Sequence, residues 1–214
     1  MFKNMQELRR LSGDNIPEFL LTHPITTRRI TESRERARGS EGGIVDSLNF
    51  QLIKKRVKFL MTDNLSIRAY EKDIGESDGD IYFSALIEMK KLNFTKSLEI
   101  LETLEDKYPD NLIIKTTIAE VYTESGNVRK SKDYTNSLLE ISLGNYPLSY
   151  NLANAYIIEE DYIAAEQILE DIKFYRPVDI HLLKDLSTVQ KNSNNMLGYH
   201  LTNSEFLFYS GRYE

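Results

Sequence analysis

Three alanines, Ala85, Ala119 and Ala153, follow one another at intervals of 34 residues. The residues around each alanine recur with it, so that apolar, aromatic and turn-forming residues fall at the same offsets. A fixed period of roughly 20 to 50 residues is typical of proteins that stack one structural unit along an axis, because each unit buries its apolar face only against its neighbours. The spacing therefore predicts a solenoid, and solenoids present extended concave surfaces to partners.

The unit around the third alanine shows the pattern most clearly when its positions are counted from Tyr146. Ala153 and Ala165 stand at positions 8 and 20, where two helices cross and small side chains let the backbones approach closely. Tyr156, at position 11, fills the space beside that crossing. Pro177 ends the second helix because proline lacks an N–H. These positions are those of the tetratricopeptide repeat, a helix-turn-helix of about 34 residues.

The two preceding units, residues 78–111 and 112–145, keep the same register, although their residues match the repeat pattern less closely. In the first, the matching residues are Ala85, Phe94, Ser97, Leu101 and Pro109. In the second, they are Ala119, Tyr122, Gly126, Val128, Ser131 and Leu138. Gly126 falls at the turn between two helices, where a positive φ is commonly needed. Three units in one register favour an all-α solenoid of antiparallel helix pairs, and an irregular helical bundle with coincidental spacing is the alternative.

Composition excludes several classes of protein. The chain of 214 residues is 41% hydrophobic, enough for a solenoid core, and its net charge of −6 argues against nucleic-acid binding. It has no cysteine, so neither a disulfide nor a thiolate metal site can form. We find no run of about 18 apolar residues, so no transmembrane segment is predicted. The N-terminus also lacks the apolar region of a secretory signal peptide.

The chain before the clear units divides into three parts. Residues 1–12 carry apolar side chains at near-helical spacing and are predicted to form a short amphipathic helix. Residues 13–43 are predicted to be mostly loop. Residues 44–77 have the length of one unit but few of its marker residues, so we expect an atypical first helical pair or cap there. The side chains expected to be buried in this part are Leu48, Leu52, Val57 and Leu60.

The C-terminal part continues the helical pattern, with helices predicted at residues 180–191 and 197–209. The apolar side of the first carries Leu182, Leu183 and Leu186. Gly211 and Tyr213 match positions 15 and 17 of a further unit whose second helix would begin where the chain ends, which predicts a fragment truncated at its C-terminus. The repeat domain predicted for residues 78–214 thus consists of units at 78–111, 112–145, 146–179 and 180–210, and of a truncated unit after them.

A segment near the N-terminus has the most distinctive sequence motif in the chain. It reads Ile-Pro-Glu-Phe-Leu-Leu-Thr-His-Pro at residues 16–24, and the pair at 29–30 is Arg-Ile. Ser-Arg-Glu-Arg-Ala follows at 33–37. With the repeats behind it, this segment resembles the end of the catalytic domain in BepA/YfgC-like bacterial periplasmic zinc metalloproteases, which carry C-terminal tetratricopeptide repeats. The resemblance implies that residues 1–43 are the C-terminal remnant of a peptidase domain.

The resemblance also implies a function and a compartment. The repeats would be the protein-binding module of a periplasmic protease and chaperone, and the parent would hydrolyse peptide bonds of misfolded substrates. Partners implied in this way are unfolded polypeptides, outer-membrane β-barrel proteins and the machinery that assembles them. The function would then be quality control of outer-membrane protein assembly.

Zinc belongs to the parent that the resemblance implies, and the chain itself lacks the catalytic helix. Family members hold the metal with an H-E-x-x-H motif, whose glutamate activates a water molecule. The chain has three histidines, His23, His181 and His200, and none lies in such a motif. We therefore expect no catalytic residue, no peptide hydrolysis and no tightly bound zinc in this chain. His23 matches the family's loop histidine, so the resemblance implies a regulatory position near the zinc of the intact parent.

A peptide-binding groove is predicted from positions 5, 6, 9, 12 and 13 of the first helix in each unit. In the first unit these residues are Tyr82, Phe83, Leu86, Met89 and Lys90. In the second they are Thr116, Thr117, Glu120, Thr123 and Glu124. In the third they are Tyr150, Asn151, Asn154, Ile157 and Ile158. This mixed apolar and polar surface suits an extended or partly unfolded polypeptide. The alternative is that some of these side chains pack against a neighbouring helix or the peptidase domain.

Two other functions compete with this prediction. A free-standing tetratricopeptide adaptor with no enzymatic parent would have the same repeats. Nucleic-acid binding through the arginines between residues 28 and 38 is disfavoured by the acidic net charge and by the lack of aromatic residues among them.

Overall fold

A computed structural model describes residues 46–62 and 75–212, together with Thr31 and Glu35. The chain divides into two compact units, Met1–Asp46 and Ser47–Glu214. In the first, Thr31 and Glu35 are helical and exposed, although they fall within the stretch predicted to be mostly loop. The predicted helix at residues 1–12, the segment at residues 16–24 with His23, and the arginines between residues 28 and 38 lie outside the described residues.

Every regular element in the described part of the second unit is an α-helix. The helices are α1 (Leu48–Leu60), α2 (Asp78–Lys90), α3 (Phe94–Lys107), α4 (Leu112–Glu124), α5 (Val128–Ile141), α6 (Tyr146–Ile158), α7 (Tyr162–Tyr175), α8 (Ile180–Asn192) and α9 (Met196–Tyr209). From α2 onward each helix packs on the next one in the chain. Helices α2, α4, α6 and α8 begin 34 residues apart, and so do α3, α5, α7 and α9. The all-α solenoid of tetratricopeptide-like helix pairs is therefore confirmed.

The alanines of the 34-residue period lie where the two helices of a pair cross. Ala85, Ala119 and Ala153 are fully buried. In the first two pairs a serine from the second helix reaches across. Ser97 Oγ donates to the carbonyl of Ala85 at 2.8 Å, and Ser131 Oγ donates to that of Ala119 at 3.2 Å. A larger side chain at either position would separate the helices, which explains the small residues.

The turn between the helices of each pair adopts a left-handed backbone. Leu92, Gly126, Glu160 and Asn194 occupy the same position in the four pairs, with φ of 64°, 76°, 61° and 63°. The following residue donates its N–H to a carbonyl of the preceding helix at 2.9–3.0 Å in every pair. Only one of the four residues is a glycine, although this conformation costs other residues about 1 kcal/mol. The helix pair therefore imposes the turn even where the local sequence does not favour it.

Helix α1 has one buried side and one exposed side. Leu52 and Phe59 are buried, and Leu48 packs against the same cluster. Val57 and Leu60 are exposed at 49% and 68%, so the prediction that they are buried is wrong. The reason is that α1 faces the repeats with one stripe only, and these two residues lie on the other side. Whether residues 44–77 form a helical pair stays a prediction, because residues 63–74 lie outside the described part.

The last two helices, α8 and α9, pack on each other as the fourth pair. Leu182, Leu183 and Leu186 of α8 are buried, as the apolar side predicted for this helix requires. The assignment of Gly211 and Tyr213 to a further unit stays a prediction, since Tyr213 lies outside the described residues.

Candidate functional site

The predicted groove begins on α2, where the structure finds its side chains buried. Tyr82, Phe83, Leu86 and Met89 are all less than 9% exposed. They belong to one apolar cluster with Leu52 and Phe59 of α1. In this unit the groove positions are therefore packed against a neighbouring helix, and they do not offer an accessible surface.

Helix α1 lies close against α2 along its length. A Cβ at the buried Gly79 would stand 3.0 Å from the Cβ of Gln51, so glycine permits this approach. Lys55 forms a salt bridge with Asp80, near the start of α2. Toward the other end, the Lys90 ammonium donates to the carbonyl of Thr62, just beyond α1. The two helices therefore run parallel.

Helix α1 also reaches α4, the first helix of the second pair. Arg56 Nη2 lies 2.7 Å from the Glu120 carboxylate, and Asn111 Nδ2 donates to Asn49 Oδ1 at 2.7 Å. Burial opposes the charge of Arg56, but Glu120 and Tyr82 together outweigh it and raise the pKa of the guanidinium. Helix α1 carries four basic residues and no acidic one, so it is a basic amphipathic helix against acidic positions of the repeats. This arrangement corresponds to a helix bound in a groove.

Beyond α1, the groove positions of the second and third pairs are accessible in part. Glu120, Tyr150, Asn154 and Ile157 are half-buried. Ile158 is 50% exposed. These side chains are mixed in character, so a partly accessible surface of polar and apolar groups extends from α4 to α6. That this surface binds a peptide stays a prediction.

Asn151 is a predicted groove residue that serves the core. It is buried, and its Nδ2 donates to Ser131 Oγ and to Thr135 Oγ1, both at 3.2 Å. Its Oδ1 accepts a hydrogen bond from Thr123 Oγ1 at 3.0 Å. The network joins α4, α5 and α6, so Asn151 and Thr123 hold adjacent pairs together instead of facing a ligand. Thr117 is likewise buried and bonds to the hydroxyl of Tyr82 at 2.8 Å.

Acidic groups line part of the accessible surface. Burial, and then the charge of Glu120, raises the pKa of Glu124. On α8, Asp185 accepts a hydrogen bond from the Tyr150 hydroxyl. Burial and this bond together raise the pKa of Tyr150 above its usual range.

The fourth pair carries side chains at the same positions of its first helix, and these were not among the predicted groove residues. Lys184, Asp185, Thr188 and Lys191 stand on α8 at positions 5, 6, 9 and 12, counted from Ile180. All except Asp185, which is half-buried, are exposed. The 34-residue register was the signal that could have identified them.

The described residues offer no metal site. Among them, no group of three or more His, Asp and Glu side chains is arranged to hold a metal ion. His181 and His200 are exposed on α8 and α9. His23 lies outside the described residues, so its regulatory role stays a prediction.

Alkaline pH is expected to weaken the junction between the third and fourth pairs through Tyr146. Its hydroxyl donates to Asp179 Oδ2 at 3.1 Å. Burial, and then the charge of Asp179, raises the pKa of Tyr146 from 10.0 to about 12. The stability from the neutral tyrosine is therefore complete below pH 10 and is lost as the pH rises through about 12. Melting temperatures measured from about pH 9 to 12 should fall less in Tyr146→Phe than in the wild type. An equal fall in both would contradict this.

None of the described helices is long and apolar enough to cross a membrane. No family model matches the sequence. A search of curated proteins also finds no match.

Several solved structures share the fold. An ArsTM double mutant of MamA RS-1 aligns with a TM-score of 0.54 at 9% identity, over 85% of this chain and 92% of that chain. Another MamA mutant aligns with a TM-score of 0.52 at 11% identity, over 77% and 94% of the two chains. MamA from residue 41 to its end, from Desulfovibrio magneticus RS-1, gives 0.51 at 9% identity, over 86% and 92%. At such low identity the likeness shows the fold alone, a tetratricopeptide-like helical solenoid.

Proposed function

We propose that this chain is a protein-binding repeat module whose groove, from α4 to α8, holds a polypeptide segment. The observation that carries the proposal is the position of α1. A basic amphipathic segment already lies against the groove positions of α2 and pairs with Glu120 of α4. Asn151 aside, the same positions on α6 and α8 are half-buried or exposed, so the fold can accept a second segment there.

The chemistry of the accessible groove favours an extended or partly unfolded polypeptide. Tyr150 and Ile157 supply apolar area, and Asn154 supplies a half-buried amide. Folded proteins hide their apolar side chains, whereas an unfolded chain offers apolar and backbone groups together. We therefore expect selectivity for unfolded chains.

Fluorescence anisotropy with labelled lactalbumin tests this expectation. The unfolded probe is lactalbumin that is reduced and carboxymethylated, and the folded probe is the same protein with its disulfides intact. We expect the chain to bind the unfolded state and not the folded one. Ile158→Glu should weaken binding about fivefold or more. The substitution puts a charge where the bound chain would make apolar contacts, and single contacts of this kind can dominate the affinity of an interface.

Ile163 provides the matched control, since it is the same residue type and is also exposed, at 68%, on α7. Ile163→Glu should leave the affinity unchanged. Equal losses in the two variants, or equal binding of folded and unfolded lactalbumin, would show that the groove is not the site.

At a finer level, we propose that the module serves a BepA-like periplasmic zinc metalloprotease and chaperone. Support comes from the resemblance of residues 16–24 to the end of that catalytic domain. The partners would be outer-membrane β-barrel proteins and their assembly machinery. Among the described residues no metal-binding group is found. The resemblance implies that the catalytic helix of the parent would hold the zinc.

The gene tests this finer proposal. It requires an H-E-x-x-H motif encoded upstream in the same reading frame. If the frame contains none, the free-standing adaptor is the correct description, and the groove proposal is unaffected.

A further inference from the structure

A second concave feature lies apart from the groove, between the second and third helix pairs. It is a crevice of about 1050 Å³. Leu139 of α5, Leu152 of α6 and Ile168 of α7 line it, and Val178 closes one side from the loop before α8. The lining is mainly apolar, and the volume is in the range of small-molecule and side-chain pockets.

Comparison with the preceding junction explains why this crevice exists. There Tyr134 of α5 fills the space, and its hydroxyl donates to Glu105 Oε1 at 2.6 Å. Lys115 Nζ adds an ion pair with Glu105 at 3.7 Å. One period later, these three positions hold uncharged side chains, Ile168, Leu139 and Ser149, of which Ile168 and Ser149 are smaller than Tyr134 and Lys115. The crevice is therefore the space that a tyrosine ring and its ion pair occupy in the neighbouring junction.

Large exposed apolar side chains line the crevice or lie close in the chain to residues that line it. Leu143 and Tyr175 are more than 80% exposed, and Phe174 stands beside Tyr175 at the end of α7. Ile141 and Val178 are also exposed. Exposed apolar groups gathered around an apolar crevice are typical of a site that a partner covers. Buried aromatic anchors in such crevices supply much of the affinity of protein interfaces.

The charged residues at the crevice indicate the sign of the charge that a partner would carry. Three charged residues line it, and two of them, Asp171 and Asp179, are acidic. Asp179 is already engaged, because it caps α8 and accepts the hydroxyl of Tyr146. The Arg176 guanidinium lies 4.1 Å from the centre of the Tyr146 ring. Asp171 is exposed and forms no salt bridge within the described ranges, so it is available to a cation.

We propose that this crevice binds a partner polypeptide through one aromatic side chain that is flanked by lysine or arginine. The aromatic ring enters the space that Tyr134 fills in the preceding junction, and the basic neighbour pairs with Asp171. No acceptor corresponds to Glu105 in the crevice, because Leu139 stands there, so the anchor is phenylalanine rather than tyrosine. The site is separate from the groove and does not depend on it.

Titration of the ¹⁵N-labelled chain by NMR tests the proposal. The probe is an acetylated and amidated tripeptide with phenylalanine between two lysines. We expect millimolar binding, with shifts at the amides of Ser149, Ile168 and Val178. Two further tripeptides, one with alanine for phenylalanine and one with glutamates for lysines, should bind about tenfold more weakly.

Two variants fill the crevice from opposite sides. Ile168→Phe places a ring where the preceding unit has Tyr134, without a hydroxyl that would lack an acceptor, and Leu139→Phe fills the space from α5. Each should weaken tripeptide binding at least about tenfold while the melting temperature stays equal or rises, because a cavity is filled. Ile163→Phe, on the exposed part of α7, is the control and should bind like the wild type. Asp171→Asn should reduce the affinity severalfold and reduce its dependence on salt.

Several results would overturn the proposal. Equal binding of the alanine tripeptide would show that no aromatic anchor is used. Undiminished binding by both filled variants, or shifts confined to α4 and α8, would place the peptide elsewhere. If one filled variant fails to fold, the other still decides the question.

Discussion

Replacement of Leu52 by alanine is expected to lower the free energy of unfolding by about 2–5 kcal/mol. Leu52 is fully buried between α1 and α2, where it shares a cluster with Tyr82, Phe83 and Leu86. The truncation removes apolar contacts and leaves a cavity that the two parallel helices can close only in part. Urea denaturation followed by circular dichroism at 222 nm would measure the change through the midpoint.

The adjacent Ile53 is the matched control for this experiment. It has the same size, lies on the same helix and is 53% exposed. Ile53→Ala should therefore change the stability by no more than about 0.5 kcal/mol, as is usual for surface positions. Similar effects of the two substitutions would mean that α1 does not pack on the repeats as described. Helix α1 would then not cover the first part of the groove.

Replacement of Ala165 by leucine is expected to destabilise the protein by about 1–3 kcal/mol. Ala165 is fully buried on α7, in the same cluster as Ala153 of α6. The added side chain cannot be accommodated without separating the two helices, since protein cores are already close-packed. Thermal denaturation would show a lower melting temperature, and the loss should centre on the third pair because repeat units contact only their neighbours.

Ala164 provides the comparison within the same helix turn, because it is adjacent in sequence and only half-buried. Ala164→Leu should leave the melting temperature nearly unchanged, since both residues favour a helix and the new side chain can turn toward solvent. A loss as large as that of Ala165→Leu would show that the crossing is not where the 34-residue pattern places it.

The sequence predicted the repeat units well because their restraints are local. Position 8 must be small wherever two helices cross, and Ala85, Ala119 and Ala153 meet that requirement visibly. A glycine marked the turn only at Gly126, and asparagines marked the turn of the fourth pair, where Asn194 adopts a positive φ. Leu92 adopts the same positive φ without a glycine, because the packing of its helix pair supplies the stabilisation that the residue itself lacks.

The groove was harder to predict, because its accessibility depends on contacts between distant segments. Tyr82 and Tyr150 stand at the same position of their units, yet the first is buried and the second is half-buried. The difference is α1, whose Arg56 pairs with Glu120, 64 residues later in the chain. No periodic pattern within one unit contains that information.

The amino-acid sequence by itself determined the helical pairs, their register and their number of residues, because a period of 34 residues fixes which side chains meet within and between adjacent units. The tertiary structure alone decided which surfaces remain open. In that structure α1 packs on the first unit, Asn151 is buried in the core, and a crevice lies where Ile168 occupies the position of Tyr134 in the preceding unit. The physical reason is that accessibility belongs to the assembled molecule, whereas helix formation and close packing of a pair depend on residues near one another in the chain.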